Sequence, residues 1–305
     1  MTTIVITEFM DEEAVDSLRA DFDVVYEPDL VDRVDDLKAL VGTAKALIVR
    51  NRTQVTAEVL DAGPELVVVG RLGVGLDNID LDACAARGVA VRPATGGNAI
   101  AVAEYVITAA LMLRRGAYRA HDQMLQGKWP RAELAGHEVA GTRLGLVGYG
   151  RIAQEVAVRA WAMRMTVAAF DPYVDPGSFG RATRLPLDDV FASSDVVSLH
   201  VPLTDETTRL VDADRIASMR PGAVLINTAR GGIVDEVALV DALRSGRLGG
   251  AALDTFEHEP LGPVAAARFH RVPNLLITPH IAGVTVESNR RVSEITAAQV
   301  REALE

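Results

Sequence analysis

The chain has 305 residues, more than one ordinary hydrophobic core, so two domains are expected. Its 49% apolar and 24% charged residues exclude a disordered chain, no apolar run reaches a membrane span, and residues 1–8 lack the plan of a signal peptide, so the cytoplasm is the expected location. The 42 acidic against 31 basic residues leave a net charge of −11, which disfavours nucleic acid and membrane as partners, and the single cysteine, Cys84, rules out an internal disulfide and offers no metal pattern.

Short apolar runs at Ile4–Thr7, Val24–Tyr26, Ala46–Val49, Val67–Gly70 and Val89–Arg92 read as strands. Amphipathic stretches at Glu12–Ala20, Asp35–Leu40, Val55–Asp61 and Asp80–Arg87 read as helices between them. This alternation predicts a parallel sheet covered on both faces. One long helical stretch is expected from Asn98 to Gln126, where Ala101, Tyr105, Thr108 and Met112 repeat at helical spacing. A second series follows, with strands at Leu144–Val147, Val167–Phe170, Val196–Leu199, Val224–Asn227, Ala251–Leu253 and Leu275–Ile277, and a final helix from Val286 to Leu304. The expected fold class is α/β, two doubly wound parallel-sheet domains with a cleft between them.

The first strand of the second series runs into Gly148–Tyr149–Gly150–Arg151–Ile152–Ala153, and a helical pattern follows. That order matches a dinucleotide-binding turn with alanine in its third small position. Gly148 permits a tight turn, and Gly150 lets the backbone approach a pyrophosphate with no Cβ in the way. The helix starting near Arg151 points its amides and positive dipole end at the phosphates. Asp171 ends the next strand, about 20 residues on, where a carboxylate accepts from the ribose hydroxyls and repels a 2′-phosphate, so NAD is favoured over NADP.

Three later segments end predicted strands with polar residues: Asn227–Gly232, Asp254–Pro260 and Thr278–Gly283. They deliver Arg230, Glu259 and His280 to the sheet edge where ligands bind. A 2-oxo acid needs its carboxylate held and its carbonyl polarised, which the planar fork of Arg230 does and a lysine does not. Addition of hydride leaves an oxyanion that His280 protonates. Glu259 favours the charged imidazole and fixes the ring. The remaining histidines, His121, His137, His258 and His270, lack zinc-ligand spacing, so no metal is expected.

The segments Gly148–Ala153, Asn227–Glu236, Asp254–Pro260 and Thr278–Gly283, with Gly70–Asp80 and Asn98–Tyr105, closely resemble the signature blocks of the D-isomer-specific 2-hydroxyacid dehydrogenase family. The resemblance covers nearly the whole chain and implies Arg230, Glu259 and His280 as the catalytic trio. It implies cofactor contacts from Gly148 to Ile152 (Tyr149 and Arg151 included), and from Asp171, His200, Val201, Pro202, Thr228, Ala229, Arg230, Asp254, His280 and Gly283. Asp254 matches the aspartate that hydrogen-bonds the nicotinamide amide, and Val74 and Gly75 match backbone groups that contact the substrate carboxylate. The resemblance further implies a flavodoxin-like substrate domain over 1–97 plus 282–305, a Rossmann NAD-binding domain over 98–281, and a homodimer joined near Asn98 to Trp129.

Within the family, the chain resembles 3-phosphoglycerate dehydrogenase-like members, and in Thr7–Glu12, Arg50–Thr53, Leu113–Tyr118 and His280–Asn289 the (S)-sulfolactate dehydrogenase subgroup. The resemblance gives Arg50 the substrate's distal anion, with Arg52 beside it, so the expected substrate is a small 2-hydroxy acid with an anionic tail. The C-terminal regulatory domains of many such relatives are missing here, so control through them is not expected. Glyoxylate or hydroxypyruvate reductases are the nearest enzymatic alternative, and Arg50 and Arg52 argue against a tail-less substrate. Formate dehydrogenases carry an amide where Glu259 stands. An NADH-sensing corepressor keeps the same trio, but no extended recruiting tail is visible.

Overall fold

The computed structural model describes residues 3–305, which form two compact α/β units. One comprises Met1–Asn98 with Val284–Glu305 and the other Ala99–Gly283.

The first unit carries strands β1 (Thr3–Ile6), β2 (Asp23–Tyr26), β3 (Ala44–Val49), β4 (Val68–Arg71) and β5 (Ala90–Pro93), all parallel, in the order β2-β1-β3-β4-β5. This is the flavodoxin order. Central β3 is apolar on both faces because helices cover both. Leu47 and Val49 join Val5 and Val69 on one side, and Ala46 and Ile48 join Ile4, Ile6 and Val68 on the other. Each fully buried Leu or Ile here contributes on the order of 2 kcal/mol. The helix Val286–Leu304 packs Val292, Ala297 and Val300 onto the Ile4 and Ile48 side. Gly70 makes room for it, since a Cβ there would stand 2.7 Å from Val300 Cγ2. A capping box between Thr285 and Ser288 starts this helix.

The second unit carries β6 (Arg143–Val147), β7 (Thr166–Phe170), β8 (Thr183–Arg184), β9 (Val196–Leu199), β10 (Val224–Asn227), β11 (Gly250–Leu253) and β12 (Leu275–Ile277). All pair in parallel, in the order β12-β11-β10-β9-β6-β7-β8. The connections reverse direction between β6 and β9, the switch point at which open α/β sheets bind ligands. Strand β8 has no counterpart in the sequence reading. It is two exposed residues at the sheet edge, with no apolar run to announce it.

The single long helix expected from Asn98 to Gln126 is corrected to three pieces. The helix Ala99–Arg115 ends at Gly116, whose φ of +65° is left-handed, and a 3₁₀ turn Ala117–Ala120 and a short helix His121–Leu125 follow. The break has a partner. Residues 136–137 fold back onto the helix end, where the His137 N–H donates to Arg114 O at 2.8 Å. Gly136 lies so close that a Cβ would stand 2.0 Å from Arg115 O. These contacts occupy the carbonyl end of the helix.

Candidate active site

The glycine turn after β6 is built for an anion. Gly148 has φ +89°, and a Cβ on it would meet His200 O at 2.5 Å, so the turn and the end of β9 are held closer than any side chain allows. Gly150 is the N-cap of the helix Arg151–Ala162, carries no side-chain cap, and has open space where its Cβ would be. The first-turn amides of Arg151 and Ile152 have no acceptor among the described residues. Unpaired amides at a helix start beside an open glycine fit a pyrophosphate.

The side chains around this turn divide into support and lining. Tyr149 is buried, stacks on Phe179 at 5.0 Å and donates its hydroxyl to Phe179 O, so only its backbone faces the turn. Asp171 accepts the Tyr149 N–H at 2.8 Å on one oxygen, and the N–H groups of Tyr173 and Val174 on the other. It therefore ties the turn to β7, with one of about four lone-pair positions left over. His200 turns its ring onto Ser198 Oγ at 2.9 Å, and burial pushes its pKa down to about 4. It is neutral at pH 7. Val201 is half-buried, and the Pro202 carbonyl accepts from Thr207. Thr228, beyond β10, has a buried Oγ1 with no protein partner, as a group awaiting a ligand would.

The structure brings Glu259 and His280 together. Glu259 Oε2 lies 2.7 Å from His280 Nδ1, and Glu259 Oε1 accepts the Phe256 N–H at 2.9 Å. Burial alone would raise the Glu259 carboxyl, yet the His280 bond, the Phe256 amide and the charge of Arg230 hold it below its ordinary value. A carboxylate on Nδ1 makes that nitrogen the donor and leaves Nε2 to exchange protons. Arg230 is extended and half-buried. Asn227 fixes its backbone, accepting the Ala229 N–H at 3.0 Å and donating to Arg230 O at 2.8 Å.

What places His280 is Asp254, at the end of β11. It is 1% exposed, and it accepts Thr278 Oγ1 at 2.6 Å and the N–H groups of Ile281 and Ala282 at 2.8 Å each. Its carbonyl takes the His280 N–H, also at 2.8 Å. Thr278 is held in turn by Tyr105 Oη at 2.6 Å. The sequence marked Asp254 for a cofactor and Tyr105 only for helical spacing. Their shared work on the turn that leads to Gly283 has no sequence signal.

In the first unit, the N–H groups of Val74 and Gly75 follow β4 with no acceptor among the described residues. Arg50 donates to Asn289 Oδ1 at 2.9 Å and lies over the Phe9 ring. Arg52 instead pairs with Asp32 on the surface. A third residue, Glu8, was not marked by the sequence, although its carboxylate underlies this whole loop.

A cavity of about 230 Å³ lined by Arg114, Arg119, His137 and Asn274 lies at the amino ends of β10 and β11, the edge opposite Arg230 and His280. It is no part of this site. Among the described residues, no helix is long and apolar enough to cross a membrane, and no three His, Cys, Asp or Glu side chains gather as metal ligands would.

Residues 107–282 match the family model described as D-isomer specific 2-hydroxyacid dehydrogenase, NAD binding domain. The chain is 52% identical to (S)-sulfolactate dehydrogenase of Chromohalobacter salexigens, over 100% of this chain and 99% of that one. It is 36% identical to D-3-phosphoglycerate dehydrogenase of Synechocystis sp., where all of this chain spans 54% of the relative. Among solved structures, D-lactate dehydrogenase from Aquifex aeolicus complexed with NAD and lactic acid superposes with a TM-score of 0.86, at 28% identity over 99% of this chain and 95% of that one.

The loops bearing Arg230 and Glu259 touch at Gly231, where a Cβ would stand 1.9 Å from the Phe256 carbonyl. Gly231→Ala is therefore expected to push the two loops apart and cost at least tenfold in kcat while the fold survives. Stopped-flow turnover beside a far-UV circular dichroism spectrum checks this, and an alanine variant with full kcat contradicts it.

Proposed function

The chain belongs to the D-isomer specific 2-hydroxyacid dehydrogenase family and uses NAD, and from that premise we propose that its substrate is a three-carbon 2-hydroxy acid with an anionic tail, of the sulfolactate or 3-phosphoglycerate kind. The observation that carries the chemistry is the Glu259–His280 contact at 2.7 Å, with the charge of Arg230 acting on the Glu259 carboxyl. NAD, when bound, takes the hydride from the substrate carbon in oxidation and returns it in reduction. Everything else falls to side chains of this chain.

Arg230 holds the substrate carboxylate with its fork and draws electron density from the neighbouring carbonyl. His280 Nε2 takes the hydroxyl proton as the alcohol is oxidised and gives it back to the oxyanion in the reverse direction. Glu259 keeps the ring in one tautomer, with Nδ1 as the donor. Asp171 beside the glycine turn supports NAD over NADP by charge. The unpaired amides of Val74 and Gly75 are assigned the substrate carboxylate.

Arg50 is assigned the tail. Four of its five N–H donors remain after the bond to Asn289, and a sulfonate or phosphate oxygen suits them. Arg52 is the weaker candidate, since it must leave Asp32 to take part. The strongest support for a sulfonate is the 52% identity to a sulfolactate dehydrogenase. We also read the chain as a homodimer. Tyr118, Leu125 and Trp129 are 67%, 76% and 77% exposed, more apolar surface in one segment than a lone subunit usually shows.

With NADH and a panel of 2-oxo acids, kcat/KM is expected to be highest for a sulfonate- or phosphate-tailed three-carbon acid. Arg230→Lys should lose on the order of a hundredfold on every member of the panel. Absence of turnover with any 2-oxo acid, or a lysine variant that works normally, sinks the reading. The second expectation concerns ring placement: Glu259→Gln removes the carboxylate that holds Nδ1 as the donor, so kcat should fall on the order of tenfold with KM little changed. An unchanged kcat means Glu259 does not position the ring. Sedimentation at micromolar concentration should give twice the chain mass of 32.6 kDa, and a single-chain mass sets the dimer aside.

A further inference from the structure

We propose that Glu8 positions the tail-reading loop: its carboxylate fills the nest of backbone amides at residues 50–53, so the tail is read by the Arg50 side chain and not by the loop's backbone. The inference rests on the assignment of the tail to Arg50. The loop leaves β3 at Val49, next to the end of β1, from which Glu8 arises. Four consecutive amides converge on that single carboxylate. Arg50 and Thr53 donate to Oε1 at 2.9 and 3.0 Å, and Asn51 and Arg52 donate to Oε2 at 3.3 and 3.1 Å.

An array of successive N–H groups is how loops commonly cradle phosphate. Here an internal anion already occupies it. Glu8 is 5% exposed, so its carboxylate is largely shielded from water. Burial would raise its carboxyl, but the amides of Thr53, Arg50 and Arg52 hold it below its ordinary value of 4.5.

The loop's carbonyls are held as well. Asn78 Nδ2 donates to Thr53 O at 2.7 Å and Arg50 O at 3.3 Å, and Thr53 Oγ1 meets Thr7 Oγ1 at 2.8 Å. With all four amides and the carbonyls of Arg50, Arg52 and Thr53 satisfied internally, the backbone has little left for a ligand. What projects is the Arg50 guanidinium, aimed by Phe9 beneath it and by Asn289 at one nitrogen. Glu8 and Phe9 are neighbours, so one turn of chain sets the loop and supports its arginine.

The test uses the intact enzyme with NADH. In Glu8→Gln, an amide NH₂ faces amides and only one oxygen still accepts. KM for a sulfonate-tailed three-carbon 2-oxo acid should rise about tenfold, the worth of roughly one charge-assisted bond, with kcat held within about twofold. KM for pyruvate should not change. Glu8→Ala should show the same defect, and added formate, a carboxylate small enough for the nest, should reverse it. Equal effects on tailed and tail-less acids, or no rescue in a folded alanine variant, overturn the proposal.

Arg50→Ala separates the two layers. If it leaves the ratio of KM values unmoved, the tail assignment itself fails. If it moves the ratio and Glu8→Gln does not, only the role of Glu8 fails. Acid denaturation gives a readout independent of substrate. A depressed carboxyl stabilises the fold above pH 4.5 and loses that contribution as pH falls through its folded value. The stability gap between the wild-type protein and Glu8→Gln should be full above pH 4.5 and close below it. A gap that does not vary with pH contradicts an ionised Glu8 in the nest.

Discussion

The placement of His280 hangs on a carboxylate that touches neither the imidazole nor Glu259. Asp254 gathers two amides and a hydroxyl from the turn after β12, and its carbonyl takes a third amide, that of His280. The turn needs such a hold, because His280 sits at φ +55°, where a residue with a Cβ loses about 1–2 kcal/mol. Several buried bonds to one anion outweigh that cost. In return, the chain reverses within one residue, and the ring comes back over the strand ends to meet Glu259. Glu259 is itself held by the Phe256 amide, and its loop by Glu236. That residue is 2% exposed and accepts the Glu257 N–H at 2.7 Å and Arg268 at 2.8 Å. Glu259 and His280 are thus the outermost layer of a frame built from buried acids.

Much of the fold was legible because parallel strands buried on both faces must be continuously apolar. Val196–Leu199 and Val224–Asn227 fall where the runs put them. The glycine turn was legible for a related reason: Gly148 is demanded by its left-handed φ and the close approach of His200, and Gly150 leaves open the space a Cβ would take from a ligand. Strand β8 escaped because two exposed residues pair by geometry alone. The long helix was expected too far because its spacing at Ala101–Met112 gives no sign of where it stops, while the segment that caps it returns from some twenty residues later. Glu8 shows the sharper limit. A lone acid beside a strand looks like any solvated charge, and only tertiary structure reveals four amides waiting for it; Asp254 was marked for a cofactor, but not for the turn it holds.

The two units carry different burdens. Arg230, Glu259 and His280, with the glycine turn and Asp171, all belong to Ala99–Gly283, and the family model matches 107–282. The unit made of the two chain ends holds Arg50, Val74 and Gly75. The D-3-phosphoglycerate dehydrogenase relative, of which this chain spans 54%, shows that the same two units occur inside longer proteins.

The filled nest after β3 has an evolutionary reading. A loop that satisfies its own backbone arrives at a ligand already ordered, so little conformational freedom is lost when an acid docks there. It also leaves the main chain indifferent to the identity of the guest. Under the proposed tail assignment, preference for one tail or another then rests on the reach and charge of the side chains at 50, 52 and 289, which can be exchanged with the scaffold beneath left unedited.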